Sequence, residues 1–164
     1  MLLLGLAACQ QTTFSPTEQP SSTLQPPTAS YEHLCVVFQL EVPIEVRRGE
    51  TADFTMTAKN TCDQAVELGV AGVKPYGIIL AQQDGVVVWT WPPPDGDSGD
   101  ILFIETLGPQ GELVYTQDWS VEDNNEKPVA SGTYQVYGVL RLVVGEQEEN
   151  RQLVSEVETF SVGP

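Results

Sequence analysis

Apolar and polar residues alternate with the period of a β-strand along most of the chain after Tyr31. No segment shows the apolar stripe of an amphipathic helix. Clusters of Gly, Pro, Asn and Asp separate the apolar runs, and many short strands at this spacing predict an all-β fold, an immunoglobulin-like antiparallel β-sandwich. The predicted strands are Leu34–Val42, Ala52–Lys59, Val66–Ala71, Gly77–Gln82, Val86–Trp91, Ile101–Thr106, Glu112–Trp119, Thr133–Val144 and Arg151–Val162.

The alternation also predicts which side chains form the core. A tryptophan in a central strand and a tyrosine at the start of a late strand have structural roles in such sandwiches. We therefore expect Trp89, Trp91, Trp119 and Tyr134 to be core or corner residues rather than ligand platforms. The predicted core is Val37, Val42, Phe54, Met56, Val66, Leu68, Ile79, Val88, Trp89, Leu113, Tyr115, Tyr134, Val136, Leu140 and Phe160.

Two segments carry the most specific pattern in the chain. Tyr76–Trp91 contains two apolar runs joined at Asp84-Gly85, a dipeptide that suits a tight hairpin, and it ends in Trp-Thr-Trp. Gly132–Leu140 is a glycine followed by alternating Thr, Tyr, Val and Tyr. Together these segments resemble the BsuPI-type proteinase inhibitor domain, and the resemblance extends approximately from residue 34 to residue 163. It implies a non-catalytic protein that inhibits a proteinase by protein–protein binding.

The chain departs from the family pattern at two places. Gly77 stands where an Asp usually follows the tyrosine of the first strand, and Trp119-Ser120 stands where Trp-Asp is usual. These departures concern the target rather than the fold. Because sandwiches host many functions, a surface binding or structural lipoprotein domain without inhibitory activity is the alternative.

The first thirty residues divide into a signal remnant, residues 1–9, and a linker, residues 10–30. Leu6-Ala7-Ala8-Cys9 resembles a bacterial lipobox, which implies cleavage before Cys9 and lipidation of its sulfur. The charged region that normally precedes such a signal is missing, so we expect the natural signal to begin earlier. The linker is rich in Pro, Ser, Thr and Gln, and the sandwich domain occupies residues 31–164. These features predict an exported protein held at the membrane by a lipid anchor, and the alternative is a cytosolic protein with a free hydrophobic N-terminus.

Charge and motif content exclude several classes of function. Lys and Arg total 7 against 23 Asp and Glu, and the net charge of −16 repels nucleic acid. The chain has no phosphate-binding loop, dinucleotide motif or Cys/His metal cluster, so we expect no cofactor and no metal. We also expect a monomer without enzymatic activity, and a glycosidase-like pair of carboxylates is the remaining enzymatic alternative.

Cys35 and Cys62 are predicted to form a disulfide. Folding the chain about a turn near Arg47 places residue 35 opposite about residue 59, close to Cys62. A disulfide suits an exported protein. The alternative is a nucleophilic Cys35 activated by His33, although His33 is expected to be a solvated surface residue.

Short antiparallel connections predict where the loops lie. If each strand crosses the sandwich once, successive loops alternate between two poles. One pole would then hold Arg47-Arg48, residues 72–75, Pro92–Asp100 and Ser120–Ser131, and would face away from the membrane. The opposite pole would hold Asn60–Ala65, Gln83–Gly85, Gly108–Gly111, residues 145–150 and the entry of the linker.

The predicted contact with a partner is Pro92–Asp100, because three consecutive prolines restrict the unbound loop and lower the entropy lost on binding. This loop contains no basic residue, so a trypsin-like pocket would have to accept Arg47 or Arg48 instead. Two alternatives are that the prolines only end the preceding strand and that the aspartates form a calcium loop, whose last position holds Thr106 instead of Glu. The candidate residues are Arg47, Arg48, Pro92, Pro93, Pro94, Asp95, Asp97 and Asp100.

Overall fold

Most of the described residues belong to the strands of two sheets. A computed structural model of the protein describes residues 35–71, 74–94, 102–144 and 149–164. Cys9, His33, the linker, and the segment with Asp95, Asp97 and Asp100 lie outside these residues. The strands are β1 (Val36–Glu41), β2 (Glu45–Arg47), β3 (Ala52–Asn60), β4 (Val66–Ala71), β5 (Tyr76–Gln82), β6 (Val87–Trp91), β7 (Leu102–Leu107), β8 (Glu112–Trp119), β9 (Gly132–Val144), β10 (Glu149–Val154) and β11 (Glu158–Gly163).

The smaller sheet has the order β1-β3-β8, and the larger sheet is built around β9. On one side β9 pairs with β11 and β10, and on the other with β5 and β4. β7 extends this sheet beyond β4, and β6 extends it beyond β5. The pairings are antiparallel except that of β2 with β11, which is parallel. Two packed sheets of this kind confirm the predicted immunoglobulin-like β-sandwich.

Aromatic side chains fill the centre of the core. The ring of Phe54 lies 5.9 Å from that of Trp119 and 5.8 Å from that of Phe160, centroid to centroid, and Trp89 packs against Phe54 and Trp119. The hydroxyl of Tyr134 donates a 2.6 Å hydrogen bond to the carbonyl of Ala130, four residues earlier. This is the tyrosine-corner arrangement of immunoglobulin-like sandwiches.

Two of the core predictions, Val37 and Ile79, are wrong by one position. Val37 is 44% exposed, whereas Phe38 and Leu40 are buried. Ile79 lies outside the core, whereas its neighbours Ile78 and Leu80 lie in it. In both strands several apolar residues are adjacent, so the pattern alone does not specify which face is buried.

The structure contains one strand that the sequence pattern missed and divides another. After β1 the chain turns at Pro43 and joins the larger sheet as β2, a strand of only three residues. The predicted last strand is divided into β10 and β11 by a bulge. Val154 pairs with Val139 and Glu158 pairs with Val136, so four residue steps on one strand lie opposite three on β9. The buried Ser155 hydroxyl accepts a 2.9 Å hydrogen bond from the Gly138 N–H and stabilises the bulge.

One end of the sandwich, which we call the disulfide end, contains Cys35, residues 61–65 and residues 108–111. Cys35 and Cys62 form the predicted disulfide, with Cα atoms 5.4 Å apart. The Thr61 N–H donates to the Cys35 carbonyl at 2.7 Å, so residue 35 is opposite residue 61 and not 59. The difference of two residues arises because the chain folds back about residue 48 rather than 47.

The opposite end, which we call the loop end, contains the turn at residues 47–50, loop 120–131 and the hairpin turn at residues 83–86. The predicted alternation of loops is wrong for Gln83–Gly85, because Gln82 pairs with Tyr134 close to the start of β9. β4 and β5 follow the same edge of β9 one after the other, so the chain does not change poles between them. The predicted positions of residues 72–75 and Pro92–Asp100 fall partly on residues 72–73 and 95–100, which lie outside the described residues.

Candidate partner-binding surface

Loop 120–131 connects β8 to β9 and is held in one shape by its own backbone. Glu122 and Pro128 form a β-bridge, and the Val129 N–H donates to the Val121 carbonyl at 3.1 Å. At the tip, the Asp123 carboxylate accepts hydrogen bonds from the N–H groups of Lys127 and Asn125, at 3.0 and 2.7 Å. The bonds from Lys127 and Asn125 hold the pKa of Asp123 below its usual value.

Val121 in this loop has a strained backbone. Its φ is +62°, a conformation that is a genuine outlier for a β-branched residue. The side chain is buried in the core, where the surrounding side chains and the bond from Val129 hold it. Strained residues of this kind persist only where their neighbours enforce them, and they cluster at binding sites.

Asn124 fastens the loop to strand β6. Its side-chain oxygen accepts a 2.8 Å hydrogen bond from the Thr90 N–H, and its side-chain nitrogen donates to the Thr90 carbonyl at 3.0 Å. The amide thus imitates the backbone of a neighbouring strand. It closes the outer edge of β6 at this position.

A cleft of about 420 Å³, which we call the Trp–acid cleft, lies between β6 and loop 120–131. One wall contains Trp89, Trp91 and Pro93, and the other contains Glu122, Asp123 and Glu126. An aromatic face beside carboxylates is suited to a Lys or Arg side chain. The protein already makes such a contact on Trp91, where the Lys74 ammonium lies 4.4 Å from the ring centroid.

Arg47 and Arg48 lie at the end of β2, and Arg48 contacts loop 120–131 on the side away from the cleft. Arg47 ends β2, and its carbonyl accepts a 3.0 Å hydrogen bond from the Glu50 N–H, which closes the turn. The Arg48 guanidinium donates to the Val129 carbonyl at 3.1 Å. This bond fixes the charge of Arg48 against the base of the loop.

The structure therefore brings Arg48 and Pro93 to two sides of one loop, which the sequence reasoning had treated as independent sites. Pro92 and Pro94 flank Pro93 directly after β6. Asn124 and the acidic wall of the cleft were not among the residues predicted from the sequence. The Asn124-Asn125 pair at the tip of a polar loop was the available signal, because Asn favours turns of this kind.

Within residues 35–164, leaving out the three undescribed segments, no group of three or more His, Cys, Asp or Glu side chains could hold a metal ion. In the same part of the chain no helix is long and apolar enough to cross a membrane.

Comparison with known proteins supports the sequence resemblance. A family model described as BsuPI, intracellular proteinase inhibitor, matches residues 40–144. The chain belongs to the BsuPI family. The matched segment begins in β1 and ends with β9, so it includes loop 120–131 and every residue that we place on the Trp–acid cleft. No curated protein matched the sequence.

Several solved structures are similar to this BsuPI domain at low sequence identity and low TM-score. The CARDB domain of a Pyrococcus furiosus protein, crystallised with two metal ions, is 18% identical with a TM-score of 0.40, and the match covers 78% of this chain and 87% of that domain. An Escherichia coli α-2-macroglobulin fragment is 13% identical with a TM-score of 0.47, over 79% of this chain and 16% of that one. A Pseudomonas fluorescens alkylpurine DNA glycosylase is 11% identical with a TM-score of 0.39, over 76% and 30%.

Proposed function

We propose that the protein inhibits a proteinase by binding it through the loop end of the sandwich. The observation that carries the proposal is the placement of the predicted contacts Arg48 and Pro93 on two sides of loop 120–131, in a domain of a proteinase inhibitor family. Internal hydrogen bonds fix this loop before binding. A preorganised loop loses little conformational entropy on association, which favours tight inhibition.

The chemistry of the surface specifies the kind of partner. The Trp–acid cleft accepts a basic side chain of the proteinase, and Arg48 meets an acidic one. Charges of both signs on the two sides of one loop orient a partner as well as attract it. Pro93 lines the cleft and, with Pro92 and Pro94, forms its rigid margin in this proposal, whereas Arg47 is outside the cleft.

Inhibition can be measured with purified serine, cysteine and metalloproteinases and fluorogenic substrates, with the full chain as the inhibitor. We expect the inhibition constant for the target to rise about tenfold or more in Arg48→Ala and in the double variant Glu122→Gln/Glu126→Gln, since a charge contact of this kind contributes on the order of 1.4 kcal/mol. Asp63→Asn is the matched control, because Asp63 is an exposed carboxylate at the disulfide end.

Two different outcomes would oppose the proposal, one concerning the location of the inhibitory site and the other the inhibitor function itself. Unchanged inhibition in all of these variants, with their folds intact, places the inhibitory site elsewhere on the domain. Absence of inhibition across the three proteinase classes tested opposes the inhibitor function. That second result favours the alternative, a surface binding or structural lipoprotein domain.

We also propose that the protein is exported and attached to the membrane through a lipid on Cys9. The lipobox-like Leu6-Ala7-Ala8-Cys9, the following linker and a disulfide that suits an oxidising compartment support this proposal. The linker would join the sandwich at Cys35, in the disulfide end, so the loop end would face away from the membrane. Replacing Cys9 with Ser, in a gene with its full natural signal, should move the protein from the membrane fraction to the soluble fraction. Unchanged retention in the membrane fraction contradicts the lipid anchor.

A further inference from the structure

Strand β7 is an edge strand with an apolar surface. It pairs with β4 on one side, and no other described strand pairs with it. Leu102, Phe103 and Ile104 are 47%, 49% and 69% exposed. Because neighbouring side chains of a strand point to opposite faces, β7 is uncovered on both faces.

Three of the other edge strands in the described part of the sandwich, β6, β2 and β8, are protected. β6 carries Asn124 on its backbone at Thr90, and β2 is only three residues long. β8 alternates partly buried side chains with exposed ones that include Glu112 and Asp118, and charge on an edge opposes pairing with another chain. β7 has a single charged residue, Glu105, and no proline in its six residues.

The open edge specifies the kind of ligand. In an antiparallel pair only alternate residues exchange hydrogen bonds with the partner strand, so half of the residues of β7 direct their N–H and C=O groups away from β4. Such a row of donors and acceptors pairs with an extended polypeptide. The flanking apolar side chains add contact area on both faces of the added strand.

Charge then selects among extended polypeptides. Glu105 on β7 is exposed, lies opposite Leu68 of β4, and is not within salt-bridge distance of a basic group among the described residues. Leu102 and Ile104 lie on the other face of the strand, so the two faces of β7 differ in charge. A second copy of this chain would add another −16 of net charge, which disfavours self-pairing. We propose that β7 binds an extended segment of a different protein that alternates β-branched residues with lysine or arginine. This surface is separate from the loop end and does not depend on the proposed inhibitor function.

A synthetic peptide of alternating valine and lysine tests the proposal on the full chain. Two matched peptides are the controls, one with glutamate in place of lysine and one with alternate backbone nitrogens methylated. Binding can be measured by isothermal titration calorimetry and localised by amide hydrogen exchange. We expect the valine–lysine peptide to slow exchange in residues 102–107, and both control peptides to bind about tenfold more weakly or not at all.

The protein side of the interaction is tested with Phe103→Thr/Ile104→Thr, which keeps the β-propensity of the strand and removes apolar surface. Val114→Thr is the control, since Val114 is 53% exposed on the edge strand β8. The proposal requires weaker peptide binding in the first variant and unchanged binding in the second. It is overturned if the valine–lysine peptide does not bind, if methylation leaves binding unchanged, or if protection appears outside β7. It is also overturned if sedimentation shows a wild-type dimer that the double variant dissolves, because the occupant is then a second copy.

Discussion

The buried Asn60 offers a sharp test of how the disulfide end is stabilised. Its side-chain nitrogen lies 2.8, 2.9 and 3.0 Å from the carbonyl oxygens of Gln64, Leu107 and Gly108, and its side-chain oxygen accepts a 2.8 Å bond from the Cys62 N–H. One amide thus joins the 61–65 turn to the connection between β7 and β8. We expect its replacement by Ala to be among the most destabilising polar substitutions in the domain.

The magnitude follows from the number of bonds. An amide nitrogen has two hydrogens, so three short contacts amount to two donated bonds, with one accepted bond in addition. At about 1 kcal/mol each, their loss lowers the free energy of unfolding by about 3 kcal/mol. The contact with Leu107 is buried, so its carbonyl loses its partner without gaining water. That desolvation adds about 1 kcal/mol, for a total of about 4 kcal/mol.

Replacement of Asn60 by Asp separates the donor from the acceptor. The carboxylate still accepts from the Cys62 N–H, but it places an anion against three carbonyl oxygens. Its pKa in the folded state should therefore rise above the usual value of about 3.9. When the pKa of the new carboxyl is higher in the folded state than in the unfolded state, protonation favours folding. The resulting gain in stability is complete at pH values below the unfolded-state pKa, and it is lost as the pH rises through the folded-state pKa. The deficit relative to wild type should be smaller at pH 4 than at pH 7.

Urea unfolding followed by tryptophan fluorescence measures both variants at the two pH values. Gln64→Ala is the control, because its exposed side chain is removed while its carbonyl remains, and it should change stability by no more than about 0.5 kcal/mol. A loss below about 1 kcal/mol in Asn60→Ala, or an equal deficit of Asn60→Asp at both pH values, would refute the reasoning.

Three further predictions concern stability. The double variant Cys35→Ser/Cys62→Ser should lose about 3.5 kcal/mol in the chain-entropy treatment of a 27-residue separation, and an equal midpoint in urea would contradict this. Burial, and after it the charges of Glu105 and Tyr76, raise the pKa of Tyr115 from 10.0 to about 12. The neutral Tyr115 phenol therefore contributes to stability below pH 10, and this contribution is lost as the pH rises through about 12. In a pH titration followed by phenolate absorbance, Tyr115→Phe should lack the step that occurs at the highest pH. If that step remains, it belongs to another tyrosine. Glu126→Gly relieves a φ of +60° and should raise stability by about 0.5 kcal/mol, whereas a lower thermal midpoint argues against strain there.

Regular alternation explains which strands could be predicted. β4 and β8 have the predicted bounds, because in each a single run lies between turn residues. The short β2 has only three residues, too few for a period to be read, and it forms through parallel pairing with a strand more than a hundred residues later. Such pairing depends on tertiary contacts that a local pattern does not contain.

The candidate site was predictable only in part for the same reason. Proline and arginine mark Pro93 and Arg48 as unusual in the sequence, but nothing local indicates that loop 120–131 lies between them. The bond between Asn124 and Thr90 joins residues 34 positions apart. The 83–85 turn was misplaced because β4 and β5 follow the same edge of β9 one after the other instead of each crossing the sandwich, and this pairing is visible only in three dimensions.

The contact between Asn124 and Thr90 connects the shape of the loop with the protection of an edge. If loop 120–131 moved away, the backbone of Thr90 would lose both partners and β6 would become an open edge as well. The rigidity that favours binding at the loop end and the closure of β6 are therefore one interaction. β7, which is another edge strand of the same sheet, has no equivalent contact among the described residues. The domain thus presents side chains to a partner at one surface and backbone at another, and a substitution at either surface should leave the other intact.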